Sequence, residues 1–594
     1  MKKKEKVPFK NSVKNNIFML KIAYKGDKTL VIMRLVMGLF TGLNHGVSIF
    51  FISEILNALD SGRDISYIFT LTALMGIYTL AYELFFAWYY KILNPTHKLD
   101  FVRLLHKSFF VKANDIDLSC YDTPEFYNDF IFSMQNCDKS ILNTVDQLAD
   151  LIRSLVASGS VFAVVLTVDP VIALVILGFA IADMIIRLLQ NGIYYKYNIE
   201  MNELWRKSWY IEKFFSLADY AKENRLTDIK GNLLNEYDIT MQAQRSADAK
   251  MRFKVGLYNL LASALSCTLT AFVLIFMAYN LIVTQTVLIG GFTVTITASW
   301  KLKNMLFDIQ RKFVEMNKDS LYADKVRKFL QTEPQIKSGE KSFGEFESLE
   351  FRNVSFAYKD EKVLDNVSFY VKKGERIAFV GYNGAGKTTT TKLIMRLYDV
   401  TEGEILINGV NIKEYKIEEL RAKMGAVFQD YKVFAASVAE NVLGDVYTED
   451  KKDTVINALK DSTFYEKLCE LKDGINTELT REFCDTGTNL SGGEEQKIAI
   501  ARVFAHNNEL IIMDEPSSAL DPIAEYNLNL GIDKNARDKT VVFITHRLST
   551  TRHVSRIYMF EKGKIIEHGS HDELIRDGGK YAQMFELQAN KYKV

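Results

Sequence analysis

Residues Arg376 to Thr388 read RIAFVGYNGAGKT, an apolar strand-like run that ends at Val380 and passes directly into a glycine-rich loop. A helix-type pattern follows as far as Leu393. Glycines let backbone N–H groups wrap phosphate oxygens, and the helix N-terminus adds its dipole. In this context Lys387 reaches the terminal phosphates and Thr388 offers a hydroxyl to Mg²⁺. The stretch predicts a phosphate-binding loop formed by Gly381, Asn383, Gly384, Ala385, Gly386, Lys387, Thr388 and Thr389.

A second run supplies the acids that such a loop needs. Leu510 to Asp514 reads LIIMD, an apolar strand that ends in a carboxylate, and Glu515 follows directly. Asp514 is suited to hold Mg²⁺, and Glu515 is placed to polarise an attacking water. A buried strand ending in an acid is common, so this signal is strong only as the partner of Lys387.

The region around both motifs alternates short β-branched runs with amphipathic stretches, as in Val541 to Thr545. This pattern predicts an α/β domain with a mostly parallel sheet. We place that domain at residues 349–594, after a polar linker at 331–348 that contains Pro334.

The chain upstream of the linker has the composition of a membrane domain. No Asp, Glu, Lys or Arg occurs from Val255 to Trp300, which is enough for two spans joined by a tight turn. Two further apolar pairs flank the short polar breaks at Asp169 and at residues 60–64. Residues 1–330 therefore predict an α-helical domain with six spans, preceded by an amphipathic elbow at about 11–24.

The connections between these spans alternate in length. Three are short turns, whereas the second-to-third and fourth-to-fifth connections are long, charged and helix-patterned. The N-terminus and the long connections are rich in basic residues, which places them in the cytoplasm by the positive-inside rule. The basic start is followed by polar residues and does not predict a signal peptide. We expect a multi-pass plasma-membrane protein with a cytoplasmic N-terminus and α/β domain.

Composition excludes several other classes. A formal net charge of +1 over 594 residues provides no basic field for nucleic acid. The five cysteines form no CxxC pair and no Cys/His cluster in the sequence, so spacing predicts neither a disulfide framework nor a zinc site.

Between the two phosphate-site motifs lies LSGGEEQ, Leu490 to Gln496, and here the chain resembles the ATP-binding cassette (ABC) transporters over its whole length. The resemblance implies ATP and Mg²⁺ as cofactors. It implies an adenine-stacking ring at Tyr358, catalytic roles for Glu515, His546 and Gln429, and Mg²⁺ contacts from Thr388, Gln429 and Asp514. It also assigns ATP contacts to Ser491, Gly492, Gly493 and Asp521.

One position departs from the family pattern. Glu494 stands where the family most often has Gln, although Ser491, Gly492 and Gly493 are intact. The resemblance implies head-to-tail pairing of two cassettes, with each ATP held between the phosphate loop of one chain and the signature of the other. We expect a second half-transporter chain as partner, either identical or related.

The resemblance also implies exporter-type helices that extend into the cytoplasm and two coupling segments. Residues 121–128 and 220–226 fit these segments, and ordinary helix-capping connections are the alternative. No peptidase domain precedes the first span, so leader cleavage is not indicated.

Substrate candidates are polar residues inside the predicted spans. Glu83 lies in an aromatic-rich span, where an unpaired acid costs about 2.5 to 3.5 kcal/mol. It is either a cavity residue or an interhelical or interfacial structural partner. Asn44 and His45 are further candidates. The Asp183/Arg187 pair at i, i+4 spacing is more consistent with structure than with binding.

We therefore expect an ATP-driven exporter of a hydrophobic or amphipathic substrate such as a peptide, lipid or drug-like molecule, in contact with membrane lipid. Importers and ATP-gated regulators of the same architecture remain as alternatives.

Overall fold

The computed structural model describes residues 9–359, 361–517, 520, 522–535, 538–547 and 550–590. Within these, the chain divides into two compact units. The first contains residues 9–115 and Pro124–Thr332, and the second contains Ile116–Thr123 and the described residues from Glu333 onward.

The first unit is helical. Its helices are α1 Phe9–Gly26, α2 Lys28–Asp60, α3 Ile65–Trp88, α4 Asn94–Asp115, α6 Pro124–Val168, α7 Pro170–Ser216, α8 Glu223–Leu226, α9 Ile229–Ile282 and α10 Ile289–Gln331, whereas the short α5 Leu118–Tyr121 belongs to the second unit. A π-helical turn at Tyr89–Leu93 joins α3 to α4.

Local signals explain where these helices begin. Asp27 caps α2 by accepting a hydrogen bond from the Leu30 N–H at 3.0 Å. Asp169 caps α7 by accepting from the Val171 N–H at 2.8 Å, and Pro170 occupies a first-turn position where no N–H is needed. Asp169, which interrupts the apolar run in the sequence, is therefore a helix cap.

Helices α2, α6 and α10 pack closely. Gly38 of α2 faces α6, where an added Cβ would lie 2.5 Å from the Ala149 carbonyl oxygen, so only glycine permits this approach. A buried apolar cluster joins α6, α7, α9 and α10, and it includes Val161, Ile172, Val273 and Val294.

Five described helical segments are long and apolar enough to cross a membrane: Lys28–Asp60, Ile65–Asp115, Ser133–Val168, Pro170–Tyr194 and Ile229–Ile282. They contain five of the six predicted spans. The sixth predicted span lies at the start of α10, where the uncharged run ends at Trp300, and α10 is not among these five segments. The sixth span stays a prediction.

The strands of the second unit are β1 Ser348–Tyr358, β2 Glu361–Lys372, β3 Arg376–Gly381, β4 Glu402–Ile407, β5 Val410–Asn411, β6 Met424–Val427, β7 Leu510–Asp514, β8 Thr540–Ile544, β9 Arg556–Glu561 and β10 Lys564–Gly569. They form two sheets. Antiparallel strands in the order β2-β1-β4-β5 form one sheet, and the other has the order β10-β9-β3-β8-β7-β6. In the larger sheet β10 is antiparallel to β9, and every other adjacent pair is parallel. The prediction of an α/β domain with a mostly parallel sheet is confirmed.

The helices of this part are α11 Lys387–Ile394, α12 Ile417–Ala422, α13 Val438–Leu443, α14 Lys452–Asp461, α15 Tyr465–Glu470, α16 Gly492–Phe504, α17 Pro522–Asn535, α18 His571–Asp577 and α19 Lys580–Asn590.

Strand order decides where the predicted site residues meet. The central strands β3, β8, β7 and β6 are adjacent and parallel, so their carboxyl ends share one edge of the sheet. The phosphate loop follows β3, His546 follows β8, Glu515 follows β7 and Gln429 follows β6. Residues far apart in sequence therefore converge at this edge.

Candidate nucleotide site

The phosphate loop surrounds a buried lysine. Lys387 is 5% exposed, and its Nζ donates hydrogen bonds to the carbonyl oxygens of Gly381 at 2.8 Å and Tyr382 at 3.0 Å. Gly381 has φ +145°, and an added Cβ would lie 2.2 Å from the Phe560 carbonyl oxygen. Burial lowers the pKa of Lys387, while the nearby Asp514 and Glu515 carboxyl groups oppose that shift. A phosphate provides a stronger acceptor for this ammonium than the loop carbonyls do.

The remaining members of the predicted loop follow from this geometry. Asn383 and Gly384 are exposed, Ala385 and Gly386 are buried, and Thr389 is 8% exposed at the start of α11. The loop therefore presents its tip to solvent and anchors its carboxyl end in the domain core.

Asp514 and Thr388 provide a fitting pair of ligands for Mg²⁺. The Thr388 hydroxyl donates to Asp514 Oδ2 at 2.9 Å, and Asp514 is 3% exposed. Burial raises the pKa of Asp514 to about 6, the neighbouring Glu515 adds to the shift, and the hydrogen bond from Thr388 opposes it. A divalent cation stabilises the charged form of a buried carboxylate that lies beside a second acid. Hydroxyl and carboxylate oxygens are the ligands Mg²⁺ prefers. These residues therefore fit the ion.

Glu515 contacts both of the other predicted catalytic residues. His546 Nε2 lies 2.9 Å from Glu515 Oε1, and Gln429 Nε2 donates to Glu515 Oε2 at 3.5 Å. Burial and the nearby Lys387 lower the pKa of His546, with Glu515 opposing. A neutral His546 donates its Nε2 proton to the carboxylate and orients it.

The backbone of Glu515 is held in an unusual conformation. Its φ is +51°, which costs free energy in a residue other than glycine. Its N–H donates to the Ile544 carbonyl at 2.9 Å, and its own carbonyl accepts from Gln496 Nε2 at 3.0 Å. Gln496 was missed by the sequence analysis because it lies five residues beyond Ser491 on α16, and no local pattern pairs it with Glu515.

The signature residues begin α16. Ser491 is the N-cap and forms a capping box with Glu494, in which the Ser491 N–H donates to Glu494 Oε2 at 2.8 Å. Gly492 and Gly493 occupy the first turn, and the Gly492 carbonyl accepts from the Tyr431 hydroxyl at 2.7 Å. Lys467 Nζ lies 3.3 Å from Glu494 Oε1. The acid at the departing position thus supports the cap and has a cationic partner.

Tyr358 lies at the end of β1, in the second unit. Its ring packs edge-on against Phe356 at 4.8 Å and Tyr398 at 5.3 Å between centroids. The ring borders a cavity of about 490 Å³ whose lining also includes Asp117 and Asp122 and no residue of the phosphate loop. Lys392 Nζ lies 5.9 Å from the ring centroid. The ring is thus fixed in orientation beside open volume.

We expect Tyr358→Ala to weaken ATP binding by about 1 to 3 kcal/mol, the usual loss of one base stack. Tyr358→Phe is the matched control and should bind ATP like the unchanged protein, because stacking uses the ring and not the hydroxyl. Equilibrium binding of a fluorescent ATP analogue measures both. Equal affinity of the Ala variant and the unchanged protein would show that the ring does not stack on the base.

Other predicted residues lie outside this arrangement. Asp521 falls outside the described residues. Glu83 is exposed on α3, in which no residue is buried, whereas Asn44 and His45 are half-buried on α2. Their roles in substrate binding stay predictions.

The Asp183/Arg187 pair, which the sequence analysis judged structural, does form an ion pair. Arg187 Nε lies 2.6 Å from Asp183 Oδ2, and its guanidinium lies 4.3 Å from the Phe307 ring centroid.

Comparison with known proteins gives consistent results. Residues 364–518 match the ABC transporter family. The chain is similar to the subtilin transport ATP-binding protein SpaT of Bacillus subtilis, with 28% identity over 96% of this chain and 93% of that protein. It is 38% identical to an ATP-dependent lipid A-core flippase of Pasteurella multocida over 41% of each chain.

Two further matches differ in coverage. A putative multidrug export ATP-binding/permease protein of Bacillus subtilis, YgaD, is 40% identical over 40% of this chain and 41% of its own length. The chain thus spans about two fifths of that protein and of the flippase. The solved structure of a bacterial Atm1-family ABC exporter with ATP bound superposes with a TM-score of 0.75 over 94% of this chain and 97% of the other, at 24% identity, and it shows the shared fold.

Proposed function

We propose that this chain uses ATP hydrolysis to export a hydrophobic or amphipathic molecule. The support is that residues 364–518 match the ABC transporter family, that long apolar helices precede them, and that the fold is shared with an ABC exporter. The observation that carries the proposal is the convergence of Lys387, Thr388, Asp514, Glu515 and His546 at one sheet edge, in a chain whose described residues include five membrane-length helices.

The site residues have different roles in ATP hydrolysis. Lys387 and the loop N–H groups would bind the phosphates. Thr388 and Asp514 would hold Mg²⁺, which would neutralise charge on the phosphate oxygens. Glu515 accepts a proton from the attacking water, and His546 and Gln429 orient its carboxylate.

We propose further that two chains pair head to tail. The support is the cap of α16: Ser491 and Gly492 are exposed at a helix N-terminus, a geometry suited to a phosphate supplied from outside the chain. The partner is a second copy or a related half-transporter, and native mass spectrometry of the chain expressed alone distinguishes the two.

The paired arrangement gives Lys467 a role. Glu494 brings a negative charge to the end of α16 that would face a bound phosphate, and Lys467 offsets it. We expect Lys467→Ala to raise the KM for ATP by up to about fivefold, the range of a surface ion pair.

Two variants test this reading of Lys467. Lys467 also pairs with Glu470 at 3.0 Å, so Glu470→Ala is the matched control and should leave KM unchanged. Adding Glu494→Gln to the Lys467→Ala variant should return the KM for ATP to that of the unchanged protein. A KM shift that persists in the double variant would assign the effect to local structure.

Residues 116–123 belong to the second unit, and polar contacts hold them there. The Tyr398 hydroxyl donates to Asp122 Oδ2 at 2.7 Å, and Lys359 Nζ donates to the Asp122 carbonyl at 3.3 Å. This segment includes the start of the predicted coupling region. Phe126 and Tyr127, for which serine substitutions are predicted to uncouple transport, belong to the first unit.

We expect Asp122→Ala to leave basal ATPase activity within a few-fold of normal while lowering export and substrate-stimulated ATPase activity, because motion passes only through packed contacts. Asp115→Ala, at an exposed position just before the segment, is the control. Parallel ATPase and vesicle transport assays measure both activities. Equal loss of both, or of neither, in folded protein would contradict a coupling role.

The chain is a membrane protein, and we propose that its ATP site faces the cytoplasm of a plasma membrane. Inside-out vesicles containing the protein should accumulate a fluorescent amphipathic peptide or lipid when ATP is added outside. Depletion from loaded vesicles would indicate import, and ATP hydrolysis with no movement of any tested substrate class would favour a regulatory protein.

A further inference from the structure

His106, Cys137 and Asp138 form a compact group in the first unit. Each offers one ligand atom, and these atoms all lie within 4.8 Å of one another. His106 comes from α4, and the other two are consecutive residues of α6. The cluster cannot be recognised in the sequence, because the three side chains come together only when two helices pack.

The group is enclosed and incompletely satisfied. Cys137 is 0% exposed, and His106 and Asp138 are half-buried. His106 Nε2 is buried and has no hydrogen-bond partner among the described residues. The Cys137 thiol lies 3.9 Å from the Met134 carbonyl oxygen, which is a weak contact. Buried polar atoms in native proteins nearly always have a partner, so an unpaired ring nitrogen beside a thiol and a carboxylate requires explanation.

We propose that these three side chains bind a divalent zinc ion. Thiolate sulfur, imidazole nitrogen and carboxylate oxygen are the ligands that zinc takes, at about 2.0 to 2.3 Å. Tetrahedral bonds of that length bring ligand atoms to about 3.5 Å apart, so small side-chain rotations suffice.

Binding changes protonation and leaves oxidation states unaltered. The Cys137 thiol loses its proton to solvent as the sulfur–metal bond forms, and Asp138 binds as the carboxylate. His106 binds through the lone pair of Nε2, which satisfies the buried atom. The net charge of the bound group is then zero, with two negative ligands against one divalent cation, which suits an enclosed site.

The ion links two helices. In sequence, α4 directly precedes residues 116–123 and α6 directly follows them. Zinc would therefore crosslink α4 and α6, the two helices that flank that segment, and stabilise the first unit. This proposal is independent of ATP hydrolysis and stands or fails separately from the export function.

Cobalt binding to the full-length chain, purified without a histidine tag, tests the site. The parent protein carries Cys120, Cys267, Cys469 and Cys484 replaced by serine, so Cys137 is its one remaining thiol. We expect one equivalent of Co²⁺ with a thiolate-to-cobalt charge-transfer band in the near ultraviolet, lost on addition of Zn²⁺. Zn²⁺ should also raise the thermal unfolding midpoint.

Single variants locate the ligands. Cys137→Ser should abolish the band, and His106→Gln and Asp138→Asn should each weaken Co²⁺ binding by at least about tenfold. Asp129→Asn, at another α6 acid, should bind like the parent. A parent without the band, or equal binding by the Asp138→Asn and Asp129→Asn proteins, would overturn the proposal. The last comparison needs no change at the buried cysteine and remains decisive if Cys137→Ser does not fold.

Discussion

Replacement of Glu515 by Gln is expected to lower kcat for ATP hydrolysis by about 10² to 10⁴, the usual contribution of a general base. The substitution removes proton acceptance but keeps side-chain volume. The amide oxygen still accepts from His546, which lies 2.9 Å from Glu515 Oε1. ATP affinity should therefore stay within a few-fold of normal, and paired chains should remain closed on unhydrolysed ATP.

Phosphate release and equilibrium ATP binding measure the two quantities separately. Glu466→Gln, which alters an exposed acid on α15, is the control and should leave both unchanged. Near-normal turnover by the Glu515→Gln protein would mean that another group activates water. Joint loss of turnover and binding would instead assign Glu515 a role in holding the nucleotide.

The convergence of the candidate nucleotide-site residues could be predicted from the sequence because each motif is local. A glycine-rich loop between strand and helix, or an apolar strand ending in an acid, can be recognised within eight residues. Parallel neighbouring strands then bring such endings to one edge, so Lys387, Asp514 and His546 meet without any further signal.

Contacts between elements could not be predicted in this way. Gln496 reaches the Glu515 carbonyl only when α16 lies against the end of β7, and Lys467 reaches Glu494 only when α15 lies near the start of α16. Nothing in the spacing selects these pairs. The group formed by His106 and Cys137 could not be predicted either, because it forms only when α4 and α6 pack. The Asp183/Arg187 pair was predictable because its i, i+4 spacing lies within one helix.

The membrane domain shows the limit set by composition. Uncharged runs located the helices, yet they do not reveal which polar residues face a substrate. Glu83 is a substrate candidate because it is an acid in an apolar span, and the structure places it at an exposed position on α3. Such a face contacts lipid or another chain equally well, so substrate recognition has to be tested by transport.

Replacement of Lys387 by Ala should impair nucleotide binding itself, in contrast to Glu515→Gln. The Nζ group donates to two loop carbonyls at 2.8 and 3.0 Å, and these bonds position the ammonium where phosphate oxygens enter. Hydrogen bonds to charged groups contribute about 1.5 to 3 kcal/mol each. Since 1.4 kcal/mol is tenfold, the Kd for ATP should rise by about 10- to 150-fold.

A second substitution separates charge from packing. Lys387 is 5% exposed, so the Ala variant also removes buried methylene groups and loses some stability. Lys387→Met keeps that stem without the charge, and it should lose ATP affinity as severely while unfolding at a temperature closer to normal. Lys416→Ala, which breaks an exposed pair with Glu419, is the control for loss of a cation. If the Met variant binds ATP as tightly as the unchanged protein, the loop backbone alone holds the phosphates and Lys387 serves the fold.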